Sequence, residues 1–198
     1  MSHLPRQNDF RPTATWENLR LRAELLRRVR GFFERRGFLE VETPLLSADT
    51  AVDRHLEVFC VPDGEGPLAG RELYLQTSPE FGMKRLLAAG AKAIYQVTRA
   101  FRRAEQGPLH NPEFTMVEWY RVGDGMSEGM RLLSELGEEL LGRGPAEQVS
   151  YCEAFQRHVG LDPLAAPPGA LADAARRLGV AAPASLPPED RDGWLDLF

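Results

Sequence analysis

Leu21, Leu25, Val29 and Phe32 recur at helical spacing, and Leu26 and Phe33 widen the stripe. The sequence therefore predicts an amphipathic helix, capped by Thr15 or a neighbour and stopped by Gly37. The period then drops to two: Leu39, Val41 and Thr43 alternate with Glu40 and Glu42, which predicts a strand whose pairing ends at Pro44. Residues 51–72 read as a loop or irregular hairpin with turn signals across 62–67, and His55 within it is assigned no chemistry. A strand over 73–77 follows. Ser78 is then the expected N-cap of a helix, with Pro79 as its first residue, Glu80 in its first turn and Gly90 beyond its end.

The segment 93–98 reads as a strand, Gly107-Pro108 as a turn and 113–122 as the returning strand, so this stretch predicts a hairpin. After a Gly123-Asp124-Gly125 turn, Met126, Met130, Leu133, Leu136 and Leu140 predict a second long helix. Ser150 and Glu153 form a capping box for a short helix through Val159, with Gly160 as its stop. Ala, Pro and Gly dominate 163–170 and 180–188. Between them Leu171, Ala174, Ala175 and Leu178 mark a small amphipathic helix, expected to be peripheral.

The hairpin carries the candidate chemistry. On its returning strand Phe114, Met116, Glu118 and Tyr120 share one face, and Glu113, Thr115, Val117 and Trp119 the other. Glu118 therefore lies among apolar neighbours, where a carboxylate either tops a pocket and pairs with a cation or costs several kcal/mol, about what an unpaired buried charge demands. The plainer alternative is an edge strand with Glu118 half solvated. Arg102 sits where the first strand gives way to the turn, and its planar fork suits two hydrogen bonds to a phosphate.

The run FRRAEQGPLHNPEFTMVEWYR at 101–121 resembles the second signature motif of class II aminoacyl-tRNA synthetases, in the form found in lysyl-tRNA synthetases. Its WYR ending is closer to the elongation factor P–lysine ligases. Residues 36–44, RGFLEVETP, resemble the first class II motif, and LYLQTSPE at 73–80 with MKRLL at 83–87 is similar to the amino-acid-binding segment of the same families. The resemblance implies an α+β fold, a class II synthetase-like antiparallel sheet flanked by helices. It also implies a homodimer through residues 17–46. Under it, residues 1–14 form an arm and 15–198 a catalytic domain lacking its C-terminal part, with the Ala/Pro-rich region at about 160–190 peripheral.

The implied reaction is adenylation of lysine or beta-lysine by ATP with magnesium ions bridging the phosphates, followed by transfer to a lysine side chain of elongation factor P. Arg102 would neutralise the α-phosphate. Glu105, His110 and Asn111 would serve the nucleotide side, and Ser78, Pro79, Glu80, Glu118 and Tyr120 the amino-acid side; no protein-held metal is expected. The position two after Arg102, usually a glutamate that receives the adenine amino group, is Ala104, so adenine contact shifts to Glu105 or to backbone. The first-motif helix begins within the opening residues, leaving no room for the oligonucleotide-binding barrel of lysyl-tRNA synthetases, so tRNA is not the expected acceptor. A tRNA-charging enzyme and a catalytically inactive binding fragment remain alternatives.

Composition changes the picture little. The chain has 198 residues, 43% of them hydrophobic, enough for a real core. A net charge of -5 argues against nonspecific coating of nucleic acid, and Arg20, Arg22, Arg27, Arg28 and Arg30 read as the wet face of the first helix. Cys60 and Cys152 form no C-x-x-C pair, no apolar run has the length of a membrane span, and the opening residues lack a signal-peptide core. A cytoplasmic enzyme is expected. The third class II motif has no counterpart, and the ending Trp194-Leu195-Asp196-Leu197-Phe198 is expected to leave apolar groups exposed, as in a truncated chain or incomplete reading frame.

Overall fold

The computed structural model describes residues 12–51, 53, 56–62 and 70–198; His55, most of the 62–67 turn and most of the N-terminal arm lie outside them. It divides into two compact units, Met1–Pro145 and Ala146–Phe198. No described helix is long and apolar enough to cross a membrane.

In the first unit, helix α1 spans Trp16–Glu34, and the Thr15 hydroxyl accepts a hydrogen bond from the Asn18 amide at 3.2 Å. Gly37, at φ 75°, makes the left-handed turn that ends the segment. The chain then enters β1, Leu39–Glu40, which is shorter than the alternation predicts; just beyond it the Val41 amide still reaches across, to the Tyr95 carbonyl at 2.9 Å. β1 lies parallel to β5, Ala93–Phe101, and β5 pairs antiparallel with β6, Glu113–Arg121, so the sheet order is β1-β5-β6. The hairpin register runs from Ala93 opposite Arg121 to Phe101 opposite Glu113. A second sheet, β2-β4-β3, is built from β2 (Leu46–Ser47), β3 (Cys60–Pro62) and β4 (Glu72–Leu75), all antiparallel, and realises the irregular hairpin.

Helix α1 and helix α3, Met126–Leu141, pack on the face of β5 and β6 that carries Tyr95, Val97, Val117 and Trp119. Phe33 is the centre of this core. It is fully buried, stacks on Tyr95 at 4.6 Å between ring centroids, and meets Phe32 and Phe38 edge-on at 5.2 Å each. The stripe of α1 is buried only over its C-terminal half: Val29, Phe32 and Phe33 are covered, while Leu21 and Trp16 are exposed because none of the described core reaches them. The predicted face of α3 is corrected. Leu132 and Leu136 point into the core with Leu140 beside them, and Met126 and Leu133 are exposed. Four-residue spacing fits both alignments; packing against α1 and the sheet selects one. The arginines of α1 are mostly solvated or ion-paired, as Arg27 is with Glu24 at 2.7 Å and Arg30 with Glu40 at 3.0 Å.

The second unit holds α4 (Tyr151–Val159), α5 (Pro168–Leu178) and α6 (Arg191–Leu195). The capping box is present, with the Glu153 amide 3.2 Å from the Ser150 hydroxyl and the Ser150 amide 3.0 Å from the Glu153 carboxylate. Gly160, at φ 78°, closes the helix. Phe155, Val159, Leu171 and Ala174 form the core of this unit. The apolar ending is not left bare as expected: Trp194 and Leu195 pack on that core, and the Phe198 ring meets Phe155 edge-on at 5.4 Å.

Replacing Phe33 with alanine would leave a ring-sized void, and the expected loss is about 3–5 kcal/mol. Urea unfolding followed by tryptophan emission checks it, with Leu133→Ala, on the exposed side of α3, expected to change stability by less than about 0.5 kcal/mol.

Candidate active site

The face of the hairpin turned away from α1 carries Ile94, Gln96, Thr98 and Ala100 on β5, each directly opposite Tyr120, Glu118, Met116 and Phe114 on β6. Pairs in antiparallel register project on the same side of the sheet, so the alternation read from the sequence is the one observed.

At the turn end, the Arg102 guanidinium lies 5.2 Å from the Phe114 ring centroid, and one terminal nitrogen is 3.3 Å from Glu105. Its Nε is buried and has no hydrogen-bond partner among the described residues. A fork held by a ring and one carboxylate still has outward donors that suit an anionic ligand. Glu105 is engaged with Arg102. His110 and Asn111 are exposed, and their side chains make no hydrogen bond among the described residues. The turn itself is closed by backbone, the Gly107 amide to the His110 carbonyl at 3.0 Å.

Four residues along the strand from Phe114, about 13 Å at ~3.3 Å per residue, Glu118 sits at the centre of a second cluster. The Ser78 hydroxyl donates to its Oε2 at 2.7 Å and the Tyr120 hydroxyl to its Oε1 at 2.6 Å. The sequence offers Glu118 a cationic partner; among the described residues two hydroxyls take that place. Ser78 also accepts from the Glu80 amide at 3.1 Å, so one hydroxyl ties β6 to the start of α2, Glu80–Ala88. The predicted cap shifts by one residue here. Pro79 is the N-cap and makes no side-chain cap bond, and the Ser78 oxygen one residue earlier satisfies the first helical amide instead. Glu80 pairs with Lys84 one turn on, while its charge still reaches Tyr120. Burial, the hydrogen bond to Glu118, and the charges of Glu118 and Glu80 all push the Tyr120 phenol well above its ordinary pKa.

The structure thus gathers Ser78, Glu80, Glu118 and Tyr120 into one cluster and pairs Arg102 with Glu105, while His110 and Asn111 stand on the turn without contact to either. A cavity of about 610 Å³ adjoins the cluster: Ser78 and Pro79 line it with Thr43, Thr77, Phe81 and Arg85, but Arg102, Glu118 and Tyr120 do not. The sequence does not single out Thr43 or Gln96. Gln96 is 1% exposed, and Thr43 donates to its Oε1 at 3.1 Å. The only local signal is a polar residue at an inward position of an apolar strand. No group of three or more His, Cys, Asp or Glu side chains among the described residues is arranged to hold a metal ion.

Residues 5–158 match the family described as tRNA synthetases class II (D, K and N). The chain belongs to the class II tRNA synthetase family. The antiparallel pair β5 and β6, with β1 beside it and its flanking helices, is that of a class II synthetase-like α+β domain, as the sequence leads one to expect. Among its curated relatives, a protein of Vibrio vulnificus (strain YJ016) called elongation factor P–(R)-beta-lysine ligase is 48% identical over 193 residues, which is 97% of this chain and 59% of the relative. The protein of the same name from Erwinia tasmaniensis is 47% identical over 190 residues, 96% of this chain and 58% of the relative. The class II chain described here therefore spans less than two thirds of the length of these relatives.

With the folded phenol pKa raised, the Tyr120 contribution to stability is complete below about pH 10, the unfolded value, and is lost above it, where the unfolded chain releases a proton that the folded chain keeps. Phenolate absorbance compared between wild type and Tyr120→Phe should place this ionisation above that of an exposed tyrosine. In Glu118→Gln it should fall but stay elevated, because burial is the largest cause.

Proposed function

We propose that this site activates lysine or beta-lysine with ATP and passes the acyl group to a lysine side chain of elongation factor P. The observation that carries the reading is the pairing, on one sheet face, of a guanidinium only partly neutralised by Glu105 at one end with a hydroxyl-caged carboxylate at the other. That spacing suits an extended diamino acid whose carboxylate meets a phosphate near Arg102 while its ammonium lies between Glu80 and Glu118. The relatives' names supply the same substrate and acceptor.

In the first step a carboxylate oxygen of the amino acid bonds to the α-phosphorus, and the bond from that phosphorus to the bridging oxygen breaks, releasing pyrophosphate. Arg102 stabilises the charge that grows on the phosphoryl oxygens, a task for preorganised positive charge that calls for no general base. Phe114, 5.2 Å away, supports the guanidinium with its ring. Glu105 releases Arg102 when phosphate arrives and becomes available to adenine, and His110 and Asn111 order the nucleotide side of the turn. Pro79 starts α2 so that Glu80 faces the substrate amine. In the second step the acceptor amine attacks the acyl carbon, an amide forms, and AMP leaves with the amine's proton passed to solvent. Magnesium would enter with the nucleotide and offset the charge of its phosphates.

A homodimer belongs to the same reading. Trp16, Leu19 and Leu21 on α1 and Leu39, Leu45 and Leu46 beyond it are exposed apolar residues within or beside the 17–46 segment. As a modifier of a translation factor, the enzyme would work in the cytoplasm.

Lysine- and beta-lysine-dependent exchange between ATP and pyrophosphate tests the activation step. Exchange by the wild-type chain, falling by about 100-fold or more in Arg102→Ala, is expected; an undiminished variant, or a folded wild type with none, would overturn the reading. Labelled aminoacyl transfer should go to elongation factor P, and transfer to tRNA instead would redirect the acceptor. Sedimentation at micromolar protein should give twice the chain mass, with Leu39→Glu and Leu46→Glu together shifting it to the monomer.

A further inference from the structure

Gln96 is the most deeply buried amide on the site's face of the sheet, and only one end of it is partnered. Its Oε1 accepts from the Thr43 hydroxyl at 3.1 Å, whereas its Nε2 makes no hydrogen bond among the described residues. The position of that free end is informative, because Gln96 stands directly opposite Glu118 and on the same face. Residues so paired have Cβ atoms about 4.5–5.5 Å apart, so the amide lies beside the carboxylate that Ser78 and Tyr120 hold.

We propose that Gln96 is a binding residue for the substrate's ammonium group, supplying a neutral acceptor next to Glu118; this rests on the reading of the site as one for a diamino acid. The Thr43 hydroxyl both donates and accepts, so the amide can turn over without losing its anchor. Nε2 then donates to Thr43 Oγ1, and Oε1 is presented to the ligand. Glu80 and Glu118 already place two negative charges here, and a third carboxylate would oppose the ionisation of both. An amide adds an acceptor without that repulsion, and two anions with one dipole around a cation leave it satisfied in three directions. Thr43, on this account, is a positioning residue that acts only through Gln96.

The test is calorimetric binding of lysine, of beta-lysine and separately of ATP to the whole chain. Gln96→Met keeps the length and apolar stem and removes both amide ends; it should weaken amino-acid binding by about tenfold, the worth of one hydrogen bond to a charged group, and leave ATP binding unchanged. Gln96→Glu, which keeps acceptors, should retain amino-acid binding better than the methionine variant does. Thr43→Val, which frees the amide, should weaken amino-acid binding in the same selective way and stands in for Gln96→Met if that variant does not fold. Unchanged lysine affinity in a folded Gln96→Met or Thr43→Val protein overturns the proposal, as does equal loss of lysine and ATP, or a glutamate variant that binds less well than the methionine one. A wild-type chain that binds neither amino acid overturns the diamino-acid reading itself, a result distinct from any of these because it appears before substitution.

Discussion

The antiparallel ladder between β5 and β6 decides where every side chain of consequence in the first unit goes. Because the register runs unbroken from Ala93–Arg121 to Phe101–Glu113, it sorts two strands' worth of residues onto opposite faces. Tyr95, Val97, Val117 and Trp119 go to the aromatic core with Phe33; Gln96, Glu118, Tyr120 and Phe114 go to the site. A slip of one residue would exchange the two sets, burying Glu118 against Phe33 and turning Trp119 to the ligand. The core side resists such a slip, since stacked and edge-on rings around Phe33 fit only one pairing. Precision at the site is therefore borrowed from packing on the far side of the same strands.

Ser78 performs the second act of alignment. Its hydroxyl gives its proton to Glu118 and takes one from the Glu80 amide, so the helix that carries one carboxylate is indexed to the strand that carries the other. Glu118 is held by the Ser78 and Tyr120 hydroxyls, whereas Glu80 is paired with Lys84. Arg102 is treated differently: it rests on Phe114 and is only partly neutralised by Glu105. The two ends of the face are thus built for opposite demands, a cage that keeps an anion in place and a fork kept partly free.

Much of this was legible in the sequence where the determining contacts are local. The Ser150 and Glu153 capping box, the stop at Gly160, the cap at Thr15 and the two faces of 113–122 all depend on neighbours within a few residues, and the structure has each of them. Readings went astray where a partner far along the chain decides. Helix α3 turns Leu132 inward in place of Leu133 because α1 and the sheet cover that side. One of the two hydroxyl partners of Glu118 lies forty residues earlier, which no spacing within the strand encodes. Trp194 and Leu195 of the apolar ending pack on Phe155 and its neighbours while Phe198 stays partly exposed, again beyond any local pattern. Of the candidate site, the cluster of Ser78, Glu80, Glu118 and Tyr120 came through a motif, whereas the anchoring of Gln96 by Thr43 required the fold.

Tyr95 has a ring in one neighbourhood and a hydroxyl in another. The ring stacks on Phe33 of α1, while the hydroxyl donates to Glu40 of β1 at 2.9 Å, and Glu40 in turn holds Arg30 of α1. Helix, edge strand and central strand are therefore clamped about one side chain that is next in sequence to Gln96. A shift of any one of these three elements is therefore felt by the other two through this side chain.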